Sequence, residues 1–364
     1  MILHSKHKRQ IRQIIAFGII WLMFGFVYVL LEFGLIGRLP EYPSTGNKYS
    51  FLNSLISVSI GSFLMGLIIG CIEALWLKKY FERIPFWKKI LFKSIFYLLL
   101  IISFIIILTL INNALYYDAS ITDPLVINSL FNFFKTFSFW VMVIYTGLIL
   151  DLSLFYSEIE AYLGNGIISN YMGKYHKPKQ EIRIFMFLDM KASTSIAEKI
   201  GHKKYFDLLK TYYADMTEAI LDTNGEVYQY VGDEIVVSWD ENKGLSNNNC
   251  LQCFNEISKI FNNKKDTYLK TFGLVPEFKA GFHIGEVTTG EIGIIKKNIF
   301  YIGDVLNTTA RIQAECNNHE SRTLISEKLK NVLQESESFS FLKIEKLVLR
   351  GKKEAIQLYD VTYH

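Results

Sequence analysis

The sequence predicts a four-helix transmembrane segment followed by an α+β domain, and three observations carry the prediction. Four long apolar runs all lie before about residue 155. Beyond Glu181, short β-favouring stretches alternate with polar stretches patterned as helix. Within this second region residues 226–239, EVYQYVGDEIVVSW, read as a hairpin whose tip carries two carboxylates between apolar arms. The expected boundaries are 1–155 for the membrane domain, 156–180 for a cytoplasmic linker and 181–364 for the α+β domain.

The apolar runs, about 14–36, 51–76, 90–111 and 130–152, each reach the roughly 20 residues that cross a bilayer as helix. They account for a hydrophobic content of 50% and a mean hydropathy of +0.21. The first run is too long for a signal-peptide core, and no small-residue cleavage site follows it. Basic residues flank it in HSKHKRQIR and recur in KKYFERIPFWKK between the second and third runs, whereas NNALYYDASITDPLVI has no Lys or Arg. The positive-inside rule then places both termini and the α+β domain in the cytoplasm, with the inner membrane as the expected location. Glu32, Glu73, Lys135 and Asp151 fall towards run ends, so an anchor or sensor is expected rather than a conduction path. The fourth run continues into LDLSLFYSEIEAYLGNG, where Leu152, Phe155, Ile159 and Tyr162 share a helical face and Gly164 and Gly166 end it. The four cysteines give no zinc pattern, because Cys250 and Cys253 lack a second pair.

In the second region RIFMFLDM, residues 183–190, reads as a strand that ends on an acid, Asp189. Asp233 sits at the hairpin tip. Taken singly, Asp189 is also a candidate helix cap and Asp233 a turn residue. Taken together they are two hard oxygen anions at strand ends, and Mg²⁺ suits such a pair. The loop after Asp189 enters a helix, whose free amides favour phosphate. Asn307 and Arg311 in VLNTTARIQ share a helical face, where Arg offers a planar cation and Asn a sugar contact; a solvated face is the alternative. Arg350-Gly351-Lys352-Lys353 is a second phosphate candidate or a solvated basic turn. His283, flanked by glycine-containing strand, reads as a structural histidine, and Glu234 as a solvated neighbour of Asp233.

Five stretches, FMFLDMKASTSIAE, YVGDEIVVSW, GFHIGEVTTGEIG, YIGDVLNTTARIQ and LRGKKEAIQLYDV, occur in this order over about residues 181–361. In this combination the chain resembles the class III nucleotidyl cyclases, the family of adenylate and guanylate cyclases, several bacterial members of which are tethered to multi-span segments. The resemblance implies a ferredoxin-like antiparallel sheet with helices, and two Mg²⁺ or Mn²⁺ ions held by Asp189, Asp233 and the Met190 carbonyl. It implies phosphate contacts from Lys191, Ala192, Ser193 and Thr194, and from Arg350. It also implies a homodimer in which Asn307 orients the ribose and Arg311 stabilises the pentavalent phosphorus in the site of the opposite protomer. Base selection falls on Gln229 and Phe300, where adenylate cyclases usually carry Lys and a polar residue. A Gln amide donates or accepts and Phe cannot hydrogen-bond, so neither position selects a base by sign; ATP is the leading expectation, while GTP, a pyrimidine nucleotide or inactivity stay open. The expected partners are a nucleoside triphosphate, a second copy and the lipid bilayer, with no nucleic acid. A diguanylate cyclase is disfavoured, since Val231 and Ile235 flank the Gly-Asp-Glu. A catalytically silent signalling module is the remaining alternative.

Overall fold

A computed structural model describes residues 5–37, 40–41, 49–81, 85–163, 175–295, 297–344, 346–348 and 354–364. The chain forms two units, one over residues 7–168 and the other essentially over 169–364.

The first unit is helical: α1 (Ser5–Ile36), α2 (Phe51–Ile72), a π turn (Glu73–Leu77) leading into α3 (Lys78–Phe81), α4 (Phe86–Tyr117), α5 (Pro124–Lys135) and α6 (Phe137–Leu163). Four stretches are long and apolar enough to cross a membrane: Gln10–Leu35, Phe51–Leu77, Phe86–Ile111 and Phe137–Ile159. The fourth begins later than the apolar run at 130 suggests, because the helix breaks at Thr136. Its hydroxyl bonds the Phe133 carbonyl at 2.6 Å and its amide takes the same acceptor, so local side-chain bonding replaces the helical ladder. Upstream, Asp123 caps α5 through the Leu125 amide and Pro124 starts it, which makes α5 a separate helix. Gly66 and Gly70 let α2 approach α1 closely; a Cβ on Gly66 would lie 2.7 Å from the Phe17 carbonyl oxygen.

One feature of this unit escapes a reading of run ends. Lys93, with a side chain 1% exposed, bonds Glu73 Oε1 at 2.5 Å and Glu158 Oε1 at 2.8 Å. Tyr97 donates to Glu73 Oε2 at 3.1 Å, and Gln13 to Ser157 Oγ at 2.7 Å. A charge inside an apolar bundle is costly unless paired, and here each finds a partner on a neighbouring helix. Leu152 and Phe155 of the predicted amphipathic face are exposed; Gly164 and Gly166 lie outside the described residues.

The second unit is a mixed sheet with helices on both faces. Its elements are β1 (Lys179–Met190), α7 (Ser193–Ile200), α8 (His202–Asp222), β2 (Glu226–Val231), β3 (Glu234–Asp240), α9 (Glu241–Leu245), α10 (Asn249–Asn263) and α11 (Lys265–Phe272). There follow β4 (Phe278–Ile292), β5 (Asn298–Ile302), α12 (Asp304–Asn318), β6 (Thr323–Ser326), α13 (Glu327–Lys330), β7 (Phe339–Lys343) and β8 (Leu358–Tyr363). The strand order is β2-β3-β1-β4-β6-β8-β7, with β5 paired to β4. All pairings are antiparallel except β4 with β6, so the expected α+β fold holds with one parallel step in its sheet.

β1 is central and buried on both faces, which explains its nearly unbroken apolar run. Ile184, Met186, Leu188 and Met190 enter the large core beneath α8 and α10, with Leu208, Tyr212, Met216 and Phe254. Phe185 and Phe187 point the other way, onto Val305 at the start of α12. The alternation puts Asp189 on the α12 side. Gly281 of β4 permits close seating of that helix: a Cβ there would stand 2.6 Å from the Gln313 Cα and closer still to its amide nitrogen.

Candidate active site

Asp189 ends β1 and pairs in register with Lys279 of β4. Asp233 occupies the second position of the two-residue turn closed by Val231 and Glu234, behind Gly232 at φ +65. A primed turn needs that positive φ, so the glycine fixes the tip and presents the acid. Tyr213 secures it from α8, donating to the Gly232 carbonyl at 2.8 Å and standing 3.3 Å from that of Glu234.

The register of β1 with β3 brings the two acids together. Burial, followed by the bond and charge of Asp233, pushes the Asp189 carboxyl up to about 6, against the opposing pull of Lys279 and Gln313. Glu234 is not the solvated neighbour expected: burial, then Asp189 and Asp233, carries its carboxyl up to about 7. Such mutual repulsion is what a divalent cation relieves, and the donors are hard oxygens, so the pair fits Mg²⁺ or Mn²⁺. Among the described residues no group of three or more His, Cys, Asp or Glu side chains gathers to hold a metal. An ion here therefore completes its shell with other oxygens, such as phosphate and water, as Mg²⁺ commonly does.

Neither acid caps a helix. α7 starts from Ala192, a non-glycine residue at φ 54, without a side-chain cap. The first intrahelical bond comes from the Ile196 amide, so the amides of Ser193, Thr194 and Ser195 have no helical acceptor. Left-handed strain in a non-glycine residue is held in place only where its surroundings enforce it. The Lys191 amide bonds the Glu277 carbonyl, which pins the loop to β4, and its ammonium lies 3.6 Å from the Glu277 carboxylate. Met190 has a buried side chain at the strand end.

Asn307 is exposed and Arg311 half-exposed on α12. Neither side chain has a hydrogen bond or ion pair with another described residue, the two acids included. The structure thus joins Asp189 to Asp233 and leaves Asn307 and Arg311 facing outward in the single chain. Gln229 is exposed, next to a bulge that shifts the β2–β3 register between Val227 and Gln229. Phe300 is 39% exposed on β5, opposite Gly290. Arg350 lies outside the described residues. His283 is structural as expected, with Nδ1 2.6 Å from the Ser326 hydroxyl. Cys250 and Cys253 are buried, and burial pushes both thiols up to about 12, which makes them inert.

Sequence reasoning did not single out Lys279 and Gln313. Both are buried and meet Asp189, with Gln313 Nε2 3.2 Å and Lys279 Nζ 3.7 Å from Oδ2. A signal existed for Lys279, a charged residue inside the apolar strand FKAGFHI; for Gln313 there was none without the seating of α12.

Residues 174–362 match the adenylate and guanylate cyclase catalytic domain, which is more than half of the chain. The chain belongs to that family. It is 33% identical over 174 residues to adenylate cyclase 2 of Rhizobium meliloti, covering 48% of each chain. It is 29% identical over 180 residues to an adenylate cyclase of Anabaena cylindrica, covering 48% of this chain and 36% of that one. The chain thus spans half or less of the length of these relatives. Among solved structures, a bacterial light-regulated adenylyl cyclase shares the fold with a TM-score of 0.53 at 20% identity, over 62% of this chain and 66% of that one.

Proposed function

We propose that this protein is a membrane-anchored nucleotidyl cyclase that converts ATP to 3′,5′-cyclic AMP and pyrophosphate in second-messenger signalling, working as a homodimer. The observation that carries the reading is the Asp189–Asp233 pair, fixed at adjacent strand ends where burial and mutual repulsion call for a cation. The residues 1–155 form the anchor in the inner membrane, 156–180 the linker and 181–364 the cytoplasmic catalytic domain. No nucleic acid takes part. The choice of ATP draws on the relatives, which are adenylate cyclases.

Asp189 and Asp233, with the Met190 carbonyl, hold two Mg²⁺ or Mn²⁺ ions. Ions bound there would lower the pKa of the ribose 3′-hydroxyl and offset charge on the pyrophosphate. The free amides at Ser193 and Thr194, with Lys191, the Ala192 turn and Arg350, receive the terminal phosphates. The 3′ hydroxyl gives its proton to solvent as its oxygen bonds the α-phosphorus, and the bond from that phosphorus to pyrophosphate breaks. Arg311 from the second protomer offsets charge on the phosphoryl group, and Asn307 orients the ribose. Their lack of hydrogen-bond or ion-pair partners among the described residues supports a role across a dimer, in which symmetry creates two equal sites. Gln229 and Phe300 line the base.

The test uses the full-length protein in detergent with Mn²⁺ or Mg²⁺, offered ATP, GTP, CTP and UTP separately, with products read by mass spectrometry. Cyclic AMP from ATP, lost in Asp189→Ala and Asp233→Ala, is the expected result. A different cyclic product would overturn the assignment of ATP, and no product under any condition would leave a silent signalling module.

A further inference from the structure

Two buried side chains outside the proposed catalytic set converge on a single oxygen of Asp189. Gln313 donates through Nε2 to Oδ2 at 3.2 Å, and a carboxylate can only accept, which fixes the sense of the amide. Lys279 Nζ stands 3.7 Å from the same oxygen. It donates to Asn317 Oδ1 at 2.8 Å, so α12 holds it from one turn beyond Gln313. Gln313 is 6% exposed and Lys279 7%, so water scarcely competes for these contacts. The Asp189 side chain is 26% exposed, and its carboxyl also bonds that of Asp233 across the cleft between the strand ends.

We propose that Gln313 is a positioning residue for the metal ligand Asp189, with the Lys279–Asn317 pair as its brace. The amide ties Oδ2 to α12 and turns Oδ1 outward as the ligating oxygen. The inference rests on the metal-binding role proposed above for Asp189. A carboxylate ligand that rotates freely must be ordered when the ion arrives, whereas one already bonded through its second oxygen is aimed in advance. The Gly281 approach serves this, since it brings the backbone at Gln313 onto β4 two residues beyond Lys279.

The experiment measures Mn²⁺ binding to the full-length protein in detergent without nucleotide, using the electron paramagnetic resonance signal of free Mn²⁺. Wild type, Asp189→Asn, Gln313→Met and Gln313→Asn are compared, with melting temperature as a check on folding. Gln313→Met keeps the volume and loses the donor, and is expected to raise the Mn²⁺ dissociation constant about tenfold. Turnover lost at low Mn²⁺ returns at saturating Mn²⁺, because the reacting groups are intact. Gln313→Asn, one methylene shorter, weakens binding in the same direction and serves if the Met variant does not fold. A dissociation constant within about twofold of wild type in a folded Gln313 variant overturns the positioning role. Binding by wild type that Asp189→Asn abolishes and the Gln313 variants leave unchanged removes this inference alone. No binding by wild type, or none lost in Asp189→Asn, removes the metal role beneath it.

Discussion

Replacing Gly281 by alanine tests whether the seating of α12 on the sheet governs turnover. The added methyl would lie 2.6 Å from the Gln313 Cα and nearer its amide nitrogen. Carbon atoms in contact normally stand about 3.5–4.0 Å apart, so the helix must retreat by about 1 Å. The obstacle is helix backbone rather than the end of a flexible side chain, which puts the cost at the upper end of ordinary overpacking, about 3 kcal/mol. For a domain of this size such a loss lowers the melting temperature by about 6–12 °C. The helix carries Asn307 and Arg311, and a displacement of this order costs about a hundredfold in rate where reacting groups need alignment. Gly290→Ala in the same strand is the control, because its Cβ meets Pro178 at 3.5–3.6 Å, an ordinary contact. The assay is thermal unfolding of the full-length protein alongside cyclic nucleotide formation at saturating metal and substrate. If Gly281→Ala melts within about 2 °C of wild type and turns over within about threefold, α12 does not rest on β4 as described.

Two further outcomes follow from the electrostatics. Asp189 is an acid whose folded pKa is raised, to about 6, so the metal-free fold is favoured while it is protonated, and that advantage is lost as pH rises from about 4 through about 6. The loss is at most about 3 kcal/mol, and Glu234, raised to about 7, extends it upward. Mn²⁺ should accordingly raise the melting temperature more at about pH 8 than at about pH 5; equal gains would contradict the pairing of the acids. In the membrane unit, Lys93→Met leaves Glu73 and Glu158 buried without their shared cation, at a cost of about 3–5 kcal/mol. Denaturant titration of the purified protein in detergent measures it, and an unchanged midpoint would show that the bridge carries no stability.

The two-part architecture was legible because both parts have strong periodicity: long apolar runs for the spans, and a strand buried on both faces for β1. Asp189 and Asp233 stood out for the same reason, as acids interrupting apolar strand ends. What escaped was what only register and helix seating decide. The pairing of Asp189 with Lys279 depends on where β4 aligns, and Gln313 meets Asp189 only because Gly281 admits α12. Lys93 was hidden inside an apolar run, since hydropathy averages over a residue whose partners lie on other helices. The fourth span shifted to Phe137 because one threonine hydroxyl outcompeted helix continuation through residues that are apolar on both sides. Glu234 looked solvated beside a turn, yet the fold half-buries it.

Arg311 and Gln313 are two residues apart, which sets their side chains about 200° from each other around α12. One side of the helix is fastened to the acid of its own chain, and the other faces away with no hydrogen-bond or ion-pair partner among the described residues. In the proposed dimer each helix is then a shared beam, resting on one metal pair while reaching into the other. An ion that tightens Asp189 in the first pocket stiffens the support for Arg311 in the second. Because binding linkage is reciprocal, substrate engaged by that Arg311 tightens the first pocket in return. The two pockets would fill as a correlated pair, and a hybrid dimer with one Gln313→Met chain would show the change in the pocket that the altered helix serves as well as in the one it anchors.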